Sequence, residues 1–231
     1  MPEPTRSPTS SALAQLSMPR VASQAAAEYI RLQIFHGHYP PNTRVPQDQV
    51  AVDLNISRIP IREALVTLDS EGYVVLEANR GAVVTAFHAE DLRSFFKMRG
   101  FSLALAAQRC ARQADPVVIH TLNEVWERMY ASTSADEFAT HSEQFNRHIT
   151  EFGGSPRLRA AIARYRNIVP GNFFAEVPGT REVESESAKR ISVAIADQDV
   201  DGVLACYLDR GREHAERLIN LLAERGQLAD D

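Results

Sequence analysis

The sequence predicts a mainly α-helical chain in two parts: an N-terminal winged helix-turn-helix with a small β-hairpin wing, and a C-terminal all-α bundle of about six helices. Three observations predict it. Residues 22–87 run in the order helix, helix, short turn, helix, hairpin. From Ala89 onward the strand signals stop and apolar residues recur at helical spacing. The breaks between the later segments fall at Pro and Gly clusters.

The first helix covers 22–37, with Ala26, Tyr29, Ile30 and Ile34 on one face and Gly37 at its end. Tyr39-Pro40-Pro41-Asn42-Thr43 is a turn, because its prolines cannot continue a helix. A second helix covers 47–54, with Val50 and Leu54 inward, and ends at Asn55, a residue that tolerates left-handed backbone. Ser57 caps the third helix, and Pro60 sits in its first turn, where a missing N–H costs little. Ile61, Leu65 and Leu68 form its buried stripe and Gly72 closes it. The run 73–87 has Val-rich arms around Asn79-Arg80-Gly81, the pattern of a tight hairpin. Helical periods then cover 89–113, 116–132, 136–153, 156–168, 181–197 and 200–225. Trp126 and Met129 fall on helical spacing and read as core, with a cavity wall as the alternative. Phe173 and Phe174 fall in a loop.

Of 231 residues, 44% are hydrophobic, enough for a sizeable core, yet no stretch approaches the roughly 20 apolar residues of a membrane helix. Residues 1–20 are rich in Pro, Ser and Thr without a continuous apolar run, and read as a disordered tail rather than a secretory signal. The expected domains are then a tail at 1–20, the winged domain at 21–88 and the bundle at 89–225. Cys110 and Cys206 lack metal-ligand spacing and read as buried free thiols, which places the chain in the cytoplasm. A net charge of −5 excludes broad coating of nucleic acid but allows a local basic footprint.

That footprint is expected at 56–84. A recognition helix buries one face and offers polar donors at its N-terminal end. Ser57, Arg58 and Arg62 meet this requirement, the two arginines lying one turn apart. Arg80 and Gly81 take the hairpin tip, where a wing reaches DNA. The alternative is that Arg58 and Arg62 are surface arginines paired with Glu63 or Asp53.

The run Ser57-Arg58-Ile59-Pro60-Ile61-Arg62-Glu63-Ala64-Leu65, followed by Leu68, Gly72, Tyr73 and Asn79-Arg80-Gly81, resembles the DNA-binding domain of the GntR family of regulators. The resemblance implies that Arg58 and Arg62 contact DNA, that Ser57 meets a phosphate and that Arg80-Gly81 forms the wing tip. It gives Glu63 a structural role. Asp48 departs from it, since some members carry a DNA-contacting Arg there. A single winged helix reads a short half-site, so a homodimer on a palindromic operator is expected.

Residues 89–222 resemble the all-helical FCD domain of the FadR-type branch, through the segments 89–111, 142–158 and 188–214. Many such domains hold a divalent metal on an Asp and a His one turn apart, with two further histidines on later helices. The aligned positions here hold Ser142, Asn146, Ala188 and Arg210. None is a good ligand, so no metal is expected. A shifted site using His141, His148 or His214 is the alternative. The resemblance also places a pocket-lining arginine at Arg99. Arg99 and Arg210 are then expected to clamp an organic acid, with Ser142 and Asn146 adding hydrogen bonds. The competing expectation is that Arg210 pairs internally with Asp209 or a Glu, leaving an apolar pocket. Glu182, Glu184 and Glu186 read as solvated. No nucleophile–base pair is evident, so an enzyme is not expected. The chain reads as a DNA-binding regulator, a repressor by family default, controlled by a small carboxylate. A ligand-independent architectural regulator is the rival.

Overall fold

The computed structural model describes residues 9–78, 80–165 and 169–229. They divide into two compact units, Met1–Ala86 and Phe87–Asp231.

The first unit contains α1 (Thr9–Phe35), α2 (Gln47–Leu54), α3 (Arg58–Ser70), β1 (Val74–Glu77) and β2 (Gly81–Val84). α1 starts well before residue 22, inside the segment expected to be a tail; residues 1–8 lie outside the described residues. The physical reason is local, since Ala12, Leu13, Ala14 and Leu16 are strong helix formers. Ala26, Ile30 and Ile34 of α1, Val50 of α2, and Ile61, Leu65 and Leu68 of α3 meet in one core with Val74 and Val84 of the wing. Tyr29 instead lies at its edge, where its hydroxyl donates to Asp53 at 2.6 Å.

The chain corners follow the expected chemistry. α2 stops at Asn55 with φ 51° and ψ 47°. α3 gives way to Gly72 at φ 81°, and the Tyr73 amide donates back to the Leu68 carbonyl at 2.9 Å. β1 and β2 pair antiparallel, with Val74 opposite Val84 and Glu77 opposite Gly81; Asn79 of the expected turn lies outside the described residues. The stretch expected to be only a turn also lines β2. Val45 donates to the Ala82 carbonyl at 2.9 Å, and Val84 donates to the Thr43 carbonyl at 2.9 Å. Spacing within 39–45 could not show this, because the pairing partner lies some forty positions away.

The second unit comprises α4 (Ala89–Gln113), α5 (Pro116–Ala131), α6 (Ala135–Gly153), α7 (Pro156–Tyr165), α8 (Gly171–Glu176), α9 (Thr180–Ala196) and α10 (Val200–Glu224). Six of these match the expected bundle. α8 is additional and corrects the loop assignment of Phe173 and Phe174. Phe173 is buried, and Phe174 stacks on Phe96 with ring centroids 5.7 Å apart. At six residues α8 is too short to show a period.

Glycines set how closely the bundle packs. A Cβ on Gly153 of α6 would overlap the Ala106 carbonyl of α4. A Cβ on Gly100 would sit 3.0 Å from the Tyr207 carbonyl, and one on Gly211 3.0 Å from the Phe96 carbonyl, so α4 and α10 approach almost backbone to backbone. Leu103, Leu122, Met129, Phe145, Ile149, Ile191 and Tyr207 fill the interior. Trp126 packs against this core from its edge, with Lys189 over its ring at 5.8 Å. Cys110 and Cys206 are buried free thiols. Beyond α10 the chain returns alongside Phe87, which donates to the Gln227 carbonyl at 3.0 Å and accepts from the Ala229 amide at 2.8 Å.

Candidate functional site

In the first unit, the N-terminal end of α3 is open. Ser57 holds the N-cap position with extended backbone, but its side chain makes no capping bond, leaving the hydroxyl free for an outside acceptor. Arg62 is exposed and makes no hydrogen bond or ion pair to a described residue. Arg58 pairs with Asp48 at 2.7 Å, both side chains well exposed. The alternative partner Asp53 is occupied by Tyr29 and by Gln49 at 2.6 Å. An exposed ion pair of this kind is worth about 0–1 kcal/mol, so Arg58 can be released to a phosphate or base at little cost. Arg80 pairs with Glu77 at 2.8 Å beside the wing tip, and Gly81 takes φ 77°, a conformation other residues rarely adopt. Ser57, Arg58 and Arg62 thus share one helix end, held by the buried Ile61–Leu65–Leu68 stripe.

In the second unit, the charged centre is a carboxylate that the sequence analysis missed. Glu184 of α9, expected to be solvated, is buried. Ser142 Oγ donates to its Oε1 at 2.8 Å and Arg210 Nη1 donates to the same oxygen at 3.2 Å. Asn146 Nδ2 lies 3.5 Å from Oε1, and Asn146 Oδ1 accepts from Arg210 Nη2 at 3.2 Å. His214 Nε2 completes the set, 2.7 Å from Oε2. Burial favours the neutral acid, but Arg210, His214 and Arg99 outweigh it and hold the Glu184 carboxyl well below the usual range. Burial also pushes the His214 pKa down, more strongly than Glu184 raises it, with Arg210 and Arg99 adding to the lowering. A neutral His214 therefore donates from Nε2–H to Glu184. Its Nδ1 has no partner among the described residues, and neither has the buried Tyr207 hydroxyl.

Three of the expected effector residues, Ser142, Asn146 and Arg210, do converge. They converge on Glu184, however, and their donors are spent there. A buried carboxylate must be neutralised and hydrogen-bonded, and these side chains do both. Of the two expectations for Arg210, the internal pair with a glutamate is the one present; Asp209 instead faces Arg212 at 3.4 Å and Arg190 at 3.8 Å. Arg99 stands apart. It makes no hydrogen bond or ion pair to a described residue. Burial and the neighbouring Arg210 both lower its pKa, against the pull of Glu184. Two guanidiniums thus face one carboxylate. The signal for Glu184 was present in the sequence: it lies four and seven positions before Ala188 and Ile191, on the apolar stripe of its helix.

A divalent metal does not suit these residues. Ala188 contributes a methyl group, and Arg210 fills the space beside Glu184 with positive charge. The histidines of the shifted-site alternative go to separate partners, His141 to Gln144, His148 towards Glu151 and His214 to Glu184. Among the described residues, no group of three His, Cys, Asp or Glu side chains is disposed to hold a metal ion.

An open recognition helix and wing, followed by a helical bundle with a buried charged centre, define a two-domain DNA-binding transcriptional regulator. The chain belongs to the gntR family of bacterial regulatory proteins, whose description matches residues 22–84, and the FCD domain matches residues 94–217. It is a regulator and not an enzyme. An uncharacterized HTH-type transcriptional regulator of Mycobacterium tuberculosis is 25% identical over 202 residues, covering 87% of this chain and 82% of its own. The Nta operon transcriptional regulator of Aminobacter aminovorans is 26% identical over 191 residues, covering 80% and 89%. The solved structure of E. coli McbR/YncC shares the fold at a TM-score of 0.63 and 18% identity, covering 86% of this chain and 97% of that one. No described helix is long and apolar enough to cross a membrane.

Proposed function

We propose that the protein is a ligand-responsive repressor that reads a palindromic operator as a homodimer and senses a small organic anion in its helical bundle without a metal. Ser57, Arg58, Arg62 and the Arg80-Gly81 tip make the DNA contacts. The effector's carboxylate pairs with Arg99, while Ser142, Asn146 and Arg210 hold Glu184 in place beside it. The unpartnered Tyr207 hydroxyl and His214 Nδ1 offer further polar contacts to a ligand carrying a hydroxyl or amine.

The observation that carries this proposal is the charge balance at the centre, where Arg99 has no counterion of its own. Arg99 is only half-buried, but a guanidinium drawn partly out of water beside a second one, with no carboxylate of its own, is still unfavourable, and an incoming anion removes that cost. A bound effector then shifts the operator affinity by its differential affinity for the two states. The test is a thermal-shift screen of small carboxylic acids and their amides in chelator-treated buffer. An acid, and not its amide, is expected to raise the melting temperature, and Arg99→Gln is expected to abolish that rise. An equal rise in the variant overturns the assignment of Arg99.

A further inference from the structure

Helices α5 and α9 leave a surface groove of about 470 Å³ between them. Trp126, Glu127 and Tyr130 line it from α5, and Ser185, Glu186 and Lys189 from α9. Each set spans one helical turn, which puts its first and last members on the same face. None of the six belongs to the charged centre. Glu184 turns inward to that centre, whereas Glu186, two positions on, is exposed at the groove. Tyr130 is 75% exposed, and its ring packs on no aromatic side chain among the described residues.

The lining selects a cation. Lys189 Nζ already lies 5.8 Å from the centre of the Trp126 ring, so the groove accommodates an ammonium over that π face. Trp126 Nε1 donates to Asn123 Oδ1 at 3.3 Å, which spends the edge of the indole and leaves its face to the groove. Glu127 and Glu186 are exposed and make no ion pair to a described residue. Two carboxylates against one ammonium leave the groove with an excess of negative charge. Ser185 is 8% exposed, and its hydroxyl makes no hydrogen bond to a described residue, so it is left for whatever enters. A lysine resting on a surface ring needs neither the open volume beside it nor the two uncommitted carboxylates.

We infer that the α5–α9 groove is a second ligand site, separate from the central anion pocket, that takes a small alkylated ammonium. The ligand's cationic head sits over Trp126 beside Tyr130, with Glu127 and Glu186 as countercharges and the Ser185 hydroxyl as an acceptor for any N–H it carries. Lys189 holds the place of that head in the empty site. An alkylated ammonium is more weakly hydrated than a lysine head and gains more from a π face, and the flexible stem of Lys189 lets it swing aside towards Glu186. Trp126 is the single tryptophan of the chain, so its emission reports on this groove alone. The experiment is a fluorescence titration of the full chain with tetramethylammonium chloride, against sodium chloride at matched ionic strength and against tert-butanol as a neutral probe of similar shape. A saturable change in emission is expected with tetramethylammonium only, with a dissociation constant of about 1–10 mM. Lys189→Ala, which removes the competing cation, is expected to tighten binding about threefold or more, and Glu127→Gln/Glu186→Gln to weaken it about threefold or more. Circular dichroism melts check that these exposed substitutions leave the fold intact. A response that does not saturate, that sodium chloride or tert-butanol reproduces, or that is the same in both variants overturns the inference.

Discussion

Replacing Glu184 with glutamine removes the one carboxylate among two guanidiniums while keeping the shape of the side chain. The amide oxygen can still accept from Ser142 and Arg210. The amide nitrogen, however, would face the Nε2–H of His214, donor against donor, where a 2.7 Å bond now sits. Arg99 and Arg210 would be left without a countercharge. Breaking a buried charge pair from one side costs about 3–5 kcal/mol, and the retained oxygen puts this change at the lower end, about 3 kcal/mol. For a chain of this size each kcal/mol moves the midpoint by about 2–4 °C, so Glu184→Gln is expected to melt about 6–12 °C below wild type at pH 7.5. Circular dichroism at 222 nm reads this directly, and added acetate is expected to recover part of the loss by supplying a carboxylate to the freed guanidiniums. A melting temperature within about 2 °C of wild type would show that Glu184 does not anchor the centre.

Three further outcomes follow from the same geometry. Gly153→Ala forces a methyl group into the Ala106 carbonyl and is expected to cost about 3 kcal/mol in a denaturant titration, since neither backbone can give way easily. Stability should fall as pH falls. His214 and Glu184 both have pKa values lowered in the folded state, so the unfolded chain binds the extra protons, first below about 6.5 for His214 and then below about 4.5 for Glu184. His214→Gln is expected to remove the upper limb of that melting-temperature profile. On a duplex selected by the protein from a random pool, Arg62→Ala is expected to weaken binding by about 1–3 kcal/mol. Asp48→Asn, which releases Arg58, is expected to tighten binding by up to about fivefold in fluorescence anisotropy at fixed salt.

The winged domain was legible in the sequence because its signals are local. Asn55, Pro60 and Gly72 each specify a backbone geometry within one turn of themselves, and the apolar stripe of α3 repeats often enough to show its period. The strand-like pairing of 42–45 with β2 was not legible, because it depends on a partner remote in the chain. The bundle helices were visible for the same reason as α3, while α8 was too brief to show. The charged centre was half visible. Alignment by resemblance singled out Ser142, Asn146 and Arg210 as convergent, but the group they converge on hid within an alternating Glu run that looks solvated. Glu184 is tolerated inside only because donors from α6 and α10, 26 to 42 positions away, reach it in the folded state.

The central claim, an anion sensor that works without metal through Arg99, is tested most directly by operator binding. The measurement is fluorescence anisotropy on the selected duplex, with and without the carboxylic acid that scores highest in the thermal screen, in the presence of a chelator, for wild type and Arg99→Gln. The expected result is that the acid changes the operator affinity of the wild type, that the chelator does not alter this response, and that Arg99→Gln binds DNA normally but ignores the acid. A response that requires added divalent metal, or that survives intact in Arg99→Gln, would contradict it.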